Sequence, residues 1–272
     1  MAATYDNHPN GRLLSGRYRL LERVGMGGMA TVHRAHDERL KRQVAVKLIA
    51  ECLSRDPLYV RHFRLEAKLG AELAHPNIVA VLDAGAEPRD FLVMELVEGV
   101  DARSLLRASA RATADQALDV VEQVCDALAH AHDRGVVHCD VSPGNILIRE
   151  VDGTAKLADF GAASHATEPP PNAAKGIIGT PGYIAPEVLR GARPSPRSDL
   201  FSLGRVAYRL LGGPRSPGAT GPRATAPQAT AIPAAVRRAL AHDPSARQRS
   251  IAEFRDELLG ADAASLELAR AA

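Results

Sequence analysis

The sequence predicts an α+β protein in two lobes, a small strand-rich lobe followed by a larger, mainly helical one, and three observations carry the prediction. Residues 18–32 (Tyr-Arg-Leu-Leu-Glu-Arg-Val-Gly-Met-Gly-Gly-Met-Ala-Thr-Val) read as strand, glycine-rich turn and strand. Val44-Ala45-Val46-Lys47 alternates as a further strand, and the amphipathic stretch from Pro57 to Leu73 reads as a helix. From Asp115 to Arg134, Leu118, Val121, Cys125 and Leu128 recur at helical spacing and are expected in the core, with Gly135 as the stop signal. The expected organisation is a flexible leader over 1–17, a first lobe over 18–94, a hinge over 95–99 (Glu-Leu-Val-Glu-Gly), a second lobe over 100–259 and a tail over 260–272. Within the second lobe, Asp152-Gly153 is a two-residue hairpin turn, and residues 212–233 form a Pro/Gly-rich linker without helical periodicity.

Composition narrows the class of protein. The chain has 272 residues, 46% hydrophobic and 24% charged, ample for a packed core. Its net charge of +2 gives no electrostatic case for nucleic acid or a membrane surface. No apolar run approaches the roughly 18–20 residues of a membrane span. The polar start Met1-Ala-Ala-Thr-Tyr-Asp-Asn-His has no signal-peptide apolar region, so a cytoplasmic location is expected. Cys52, Cys125 and Cys139 lack metal-ligand spacing and read as reduced thiols. Abundant Ala and Arg point to a high-GC bacterial source.

The chemistry is carried by His138-Cys139-Asp140-Val141-Ser142-Pro143-Gly144-Asn145 and, further on, Asp159-Phe160-Gly161. Two carboxylates and an amide at this spacing meet the needs of phosphoryl transfer. One Asp orients a hydroxyl nucleophile and accepts its proton, while an Asn and a second Asp hold the magnesium ions that neutralise phosphate charge. Upstream, Gly25, Gly27 and Gly28, with Met26 between them, let backbone N–H groups approach phosphates that a Cβ would block. Lys47 ends its strand where it suits the α- and β-phosphates. Glu66, on the helix that follows, is placed to pair with it, ahead of the turn His75-Pro76-Asn77-Ile78-Val79.

With these motifs in order, the chain from about Tyr18 to Leu259 resembles the eukaryotic-like serine/threonine protein kinases of bacteria. Gly179-Thr180-Pro181-Gly182-Tyr183-Ile184-Ala185-Pro186-Glu187 looks like that family's substrate-binding segment, and Ser198-Asp199-Leu200-Phe201-Ser202-Leu203-Gly204 like its buried F helix. Asp243-Pro244-Ser245-Ala246-Arg247 looks like the late segment whose arginine pairs with the glutamate of the substrate segment, which implies Arg247 with Glu187. The resemblance implies a bilobal protein-kinase-like fold, with ATP between the lobes and Mg2+ on Asn145 and Asp159, Mn2+ being an alternative. It places Val32 and Ala45 above the adenine and Leu147 below, with backbone of Glu95 and Val97 on the base and Met94 as gatekeeper. Asp101 has two readings, a ribose ligand or a carboxylate favoured at a helix start. The catalytic set so implied is Asp140, Lys47, Glu66, Asn145, Asp159, Ser142 and Thr180, the last through a hydroxyl that bonds Asp140 and shapes the peptide shelf.

Departures from the family pattern give this chain its character. Cys139 stands where the family has the arginine that ties a phosphorylated activation segment to the catalytic Asp, so phosphate on Ser164, Thr167 or Thr180 lacks its usual partner. Ser142 replaces a lysine near the γ-phosphate. Its hydroxyl can bond the phosphate or Thr180 but cannot neutralise charge, a loss of about 3 kcal/mol or roughly a hundredfold in rate. Ala30 replaces the third glycine of the phosphate loop, and 212–233 reads as a shortened, mobile linker where the family carries its G helix. Gly70, one turn after Glu66, costs about 1 kcal/mol relative to Ala inside a helix, so that helix needs help to hold Glu66 on Lys47.

Three function classes follow. The leading one is an ATP-dependent kinase acting on Ser/Thr hydroxyls of protein substrates, slow and without an arginine-based activation switch. A pseudokinase that binds nucleotide or scaffolds is the alternative, motivated by Cys139, Ser142 and the missing G helix. The third is a small-molecule phosphotransferase of the aminoglycoside-kinase kind, which resembles the chain at His138–Asn145 but typically lacks the Gly179–Glu187 segment. No appended sensor is expected, and substrate, activating signal and oligomeric state are not legible.

Overall fold

The computed structural model describes residues 11–107, 113–165, 179–212 and 232–260, with backbone alone at 164 and 165. Residues 1–10 of the expected leader, the candidate phosphoacceptor Thr167, linker residues 213–231 and the tail from 261 lie outside the described residues. The chain forms two compact units, Met1–Glu98 and Gly99–Ala272. The expected hinge therefore divides at its end, with Gly99 already in the second unit.

The first unit is a six-stranded antiparallel sheet. Its strands are β1 (Leu13–Leu14), β2 (Tyr18–Met26), β3 (Ala30–Asp37), β4 (Arg42–Ile49), β5 (Val81–Gly85) and β6 (Phe91–Met94), arranged β1-β2-β3-β4-β6-β5. Alternation along the strands builds two apolar faces. Val44, Val46 and Leu48 of β4 join Leu14, Tyr18, Leu20, Ala35, Phe91 and Val93 on one face. Ile49 and Leu92 point the other way, with Ala30, against Phe63 of helix α1 (Pro57–Glu72). Lys47 shares the parity of Ile49, so the two-residue side-chain period of the strand sends it to the helix-covered face.

The leader is shorter than expected. Leu14 pairs with Tyr18 and is fully buried, while Arg17 grips Asp37 with Nε on Oδ1 at 2.8 Å and Nη2 on Oδ2 at 2.7 Å. Arg17 holds the Asp37 carboxyl well below the usual carboxylate range. The stabilisation is therefore present above the ordinary carboxylate pKa and is lost only in strong acid.

Helix α1 starts on Pro57, with Asp56 Oδ1 accepting from Leu58 N at 2.9 Å. Gly70 has a positive reason to be in it, where the sequence alone showed only a weakness. A Cβ there would fall 2.5 Å from Val81 Cγ2, so the glycine lets α1 lie close on β5. Gly70→Ala is accordingly expected to lower the melting temperature, because overpacking costs about 1–3 kcal/mol against a propensity gain of about 1 kcal/mol. A thermal melt showing a rise would mean that Val81 yields freely.

The second unit is mainly helical. It contains β7 (Gly99–Asp101), α2 (Ala102–Arg107), α3 (Ala114–Asp133), β8 (Val136–Val137), β9 (Ile146–Arg149), β10 (Ala155–Leu157), β11 (Ser164–His165), α4 (Pro186–Leu189), α5 (Pro196–Leu210) and α6 (Ala234–Ala239), and residues 251–260 are helical. Its small sheets run β10-β9-β7 and β11-β8. Thr113 and Gln116 close a capping box on α3, and Gly135, at φ 72°, ends it. Val121, Cys125 and Leu128 are buried as expected. Leu118 is only half-buried, because the core stripe runs through Ala117, Val120, Val121 and Val124. Burial pushes the Cys125 thiol pKa up and keeps it inert. Arg149 and Asp152 brace the β9–β10 hairpin, with Gly153 at φ 73°. No helix among the described residues is long and apolar enough to cross a membrane.

Candidate active site

In the first unit, Lys47 Nζ donates to Glu66 Oε1 and Oε2 at 2.6 and 2.8 Å, both side chains being nearly buried. The strand parity of Lys47 and the face of α1 that bears Phe63 and Glu66 bring the pair together. The β2–β3 turn is closed by Gly27 N donating to Ala30 O at 2.9 Å. None of Gly25, Gly27 and Gly28 has left-handed backbone, and a Cβ on Gly28 would meet nothing within 4 Å. The turn itself does not require these glycines. Ala30 is buried in the α1-facing core, so its methyl is part of the packing. Met26 is exposed, Val32 and Val97 are half-buried, and Ala45 is buried opposite Met94 in the β4–β6 register. Glu95 N donates to Ala80 O at 2.9 Å while its Oε1 accepts from Ala80 N at 2.8 Å, so that amide is already engaged.

In the second unit, the loop from His138 to Asn145 is suspended from buried Asp199 of α5. His138 N and Cys139 N donate to Asp199 Oδ2 and Oδ1 at 2.8 and 2.9 Å, and His132 Nε2 lies 2.9 Å from Oδ2. These bonds hold Cys139 at φ 67°, a left-handed conformation costing a non-glycine residue about 1–2 kcal/mol. Asp140 Oδ1 accepts from both Thr180 N and Thr180 Oγ1 at 2.7 Å, and Oδ2 accepts from Asn145 Nδ2 at 3.0 Å. Thr180 thus bonds Asp140 rather than Ser142. Ser142 is almost fully buried, and its carbonyl accepts from Asn145 N at 3.0 Å.

Asp159, exposed and at φ 65°, accepts from Gly161 N at 3.2 Å. Ala158 N donates to Asn145 O at 2.8 Å, tying the strand before Asp159 to the loop from His138 to Asn145. His138 makes the second tie. Asp140 N donates to its Nδ1 at 3.2 Å, so Nε2 carries the proton toward Ala158 O at 3.1 Å, and the ring packs edge-on against Phe160 at 4.6 Å. Sequence reasoning named neither His138 nor Asp199 as a site residue. A buried Asp in the apolar face of a helix was the signal available for the second.

Asp101 Oδ1 accepts from Ser104 N and Oγ at 2.8 and 2.6 Å, which makes it the N-cap of α2. Leu147 lies half-buried in β9, in register with Asp101. The predicted Arg247–Glu187 pair is bidentate, both bonds 2.7 Å.

A six-stranded sheet with one long helix, followed by a helical unit whose loops carry Asp140, Asn145 and Asp159, is the architecture of a protein-kinase-type domain. The protein kinase domain family matches residues 18–262, and the chain belongs to that family. Serine/threonine-protein kinase PknB of Mycobacterium tuberculosis is 37% identical over 271 residues, covering 90% of this chain and 43% of PknB. PknA of the same organism is 44% identical over 211 residues, covering 75% of this chain and 49% of PknA. The chain thus spans less than half the length of either curated relative. Among solved structures, the Mycobacterium tuberculosis PknI kinase domain superposes with a TM-score of 0.71 at 29% identity, covering 93% of this chain and 99% of that one.

Proposed function

We propose that the chain is an ATP-dependent serine/threonine protein kinase domain, slow in turnover and without an arginine-based activation switch, working on protein substrates in the cytoplasm. The observation that carries the reading is the Asp140 carboxylate, held by three hydrogen bonds from Thr180 and Asn145 on a loop hung from Asp199. Such a carboxylate is oriented before substrate arrives, and pre-orientation is where most of the catalysis of this reaction class lies. In the transfer, the substrate hydroxyl oxygen bonds the γ-phosphorus, the bond to the departing ADP oxygen breaks, and the hydroxyl proton passes to Asp140.

Donor chemistry fits the expected cofactors. With Nδ2 of Asn145 turned to Asp140, its amide oxygen remains for a hard cation, and Asp159 adds a carboxylate. Magnesium neutralises charge on the transferring phosphate when bound. It keeps several waters and takes one or two carboxylates, so it needs no dedicated cage. Among the described residues no cluster of three His, Cys, Asp or Glu forms one. Open space at Gly28, whose turn does not need a glycine, supports close backbone approach to phosphate, with Lys47 on the α- and β-phosphates. In the first unit, Val32, Ala45 and Met94 offer apolar surface for the base. Capping by Asp101 favours the helix-start reading of that residue over the ribose reading.

Purified protein with labelled ATP and magnesium is expected to phosphorylate itself or a generic protein substrate, and Asp140→Asn to abolish the label. Nucleotide binding without transfer in the wild type would establish the pseudokinase instead. Thr180→Ala is expected to lower kcat at least about tenfold, because Asp140 then loses its hydroxyl donor and with it part of its fixed orientation. An unchanged kcat would remove Thr180 from the mechanism.

A further inference from the structure

The sheet of the first unit has a second face, turned away from α1, and polar residues gather on it at the end that bears the glycine turn. Thr31 and His33 of β3 lie opposite Leu48 and Val46 of β4, whose side chains build that apolar face, so the two polar residues share it. Arg23 of β2 pairs with His33 next to a bulge. His33 is almost fully buried, and its Nε2 lies 3.1 Å from Thr31 Oγ1. Burial is the main cause that holds the His33 pKa below its ordinary value. The Leu21 carbonyl acts against it, and Arg23 and Arg89 lower the pKa further. Both guanidinium groups are thus within electrostatic reach of one imidazole, and no carboxylate is among the groups acting on that ring.

Arg89 carries the argument. It stands two residues before Phe91, the first residue of β6, whose ring belongs to the same apolar face. The Arg89 side chain is only 14% exposed, and its Nε is buried with no hydrogen-bond partner among the described residues. Glu51 Oε2 is 3.7 Å from Nη1, beyond hydrogen-bond length, on a side chain that is 73% exposed. The adjacent Asp90 is taken by Arg64, whose Nε donates to Oδ1 at 2.6 Å.

An arginine stem laid on apolar surface ordinarily keeps its charged head in water. Here part of the head is covered with the stem. A covered charge without a hydrogen-bonded counter-ion is unfavourable, which points to an anion as the missing partner.

We propose that Arg89, Arg23 and Thr31, gathered around His33, form a binding site for a phosphate-type oxyanion on the face of the first unit's sheet away from α1. Two guanidinium groups match the charge of a dianion and pair with its oxygens bidentately, and the Thr31 hydroxyl adds a neutral donor. Glu51, loosely held, leaves Nη1 to the anion. A bound anion ties β2, β3 and the turn before β6 together at the base of the glycine turn, where Met26 pairs with Thr31. The site is separate from Lys47 and Glu66, which meet on the helix-covered face, and it does not rest on the kinase reading.

The test follows the imidazole. The whole chain with 15N-labelled histidine is titrated with sodium phosphate at constant ionic strength and without nucleotide. The His33 ring resonances, assigned by their loss in His33→Gln, are expected to shift with a Kd of about 1 mM or below. Arg89→Gln is expected to weaken that binding at least about tenfold, and Arg23→Ala, at an exposed position, about threefold or more. Sodium acetate is expected to bind at least about tenfold more weakly than phosphate, because a monoanion leaves one guanidinium unpaired. A thermal melt checks that Arg89→Gln is folded; where it is not, Arg23→Ala decides alone. A phosphoserine peptide that binds at least about tenfold more tightly than inorganic phosphate assigns the site to a phosphorylated protein segment, and equal affinity assigns it to a free anion; either upholds the site. An unmoved His33 ring at about ten times the expected Kd of phosphate, titrations unchanged by the arginine substitutions, or acetate bound as tightly as phosphate overturns the inference.

Discussion

Asp159→Asn is expected to reduce phosphoryl transfer at least about a hundredfold, the size of losing one preorganised electrostatic contact in a transition state, while leaving the melting temperature nearly unchanged. Asn is the informative replacement because residue 159 sits at φ 65°, a left-handed conformation that Asn tolerates and Ala does not. Its amide oxygen still accepts from Gly161 N as Asp159 Oδ1 does, and the exposed side chain contributes nothing to the core. What disappears is one negative charge, the one proposed to hold magnesium. Labelled-ATP transfer beside a thermal melt checks it, and wild-type turnover by a folded Asp159→Asn protein would remove Asp159 from the metal site. Lys47→Ala is a less clean companion than the motif alone implied. Glu66 is nearly buried around the lysine, so deleting Lys47 leaves a carboxylate stranded and folding suffers along with phosphate binding.

Arg247→Ala is expected to cost about 3–5 kcal/mol, the penalty for breaking a buried ion pair from one side. Arg247 is fully buried. It donates to both oxygens of Glu187, to Ala241 O and to Arg197 O at 2.7–2.8 Å, and its guanidinium lies over the Phe201 ring at 4.9 Å. Removal strands the Glu187 carboxylate and two carbonyls at once. Against a total stability of about 5–15 kcal/mol, that is enough to lower the melting temperature by roughly 10 °C or more. Glu187→Gln separates charge from shape, because it keeps the acceptor oxygen and most of the volume. A melt of Arg247→Ala within 2 °C of wild type, about 1 kcal/mol or less for a chain of this size, would show that the pair positions the peptide segment without holding the unit together.

The sequence by itself determined the family and the class of fold. The phosphoryl transfer proposed for the chain needs particular functional groups at short, ordered spacing, so the residues proposed to carry it, Asp140, Asn145, Asp159, Lys47 and the glycine turn, are visible as motifs. Strand alternation and helical periodicity likewise report burial one element at a time. They fail where a neighbour distant in the chain decides. Leu13–Leu14 read as leader because a two-residue strand has no period of its own, and only pairing with β2 defines it. The α3 core stripe was read one position off at Leu118, since the facing elements rather than the helix choose which flank is covered.

Gly70 looked like a defect until Val81 was placed beside it. The loop from His138 to Asn145 shows the same limit most clearly. His138 and Cys139 meet Asp199 across 61 and 60 residues, and those two bonds keep Cys139 in its left-handed turn with Asp140 next to it. Residue identity fixes what a group can do and is written locally. Which groups meet, and which backbone strain is held, depends on contacts between segments far apart in the chain, and those exist only once the chain has folded.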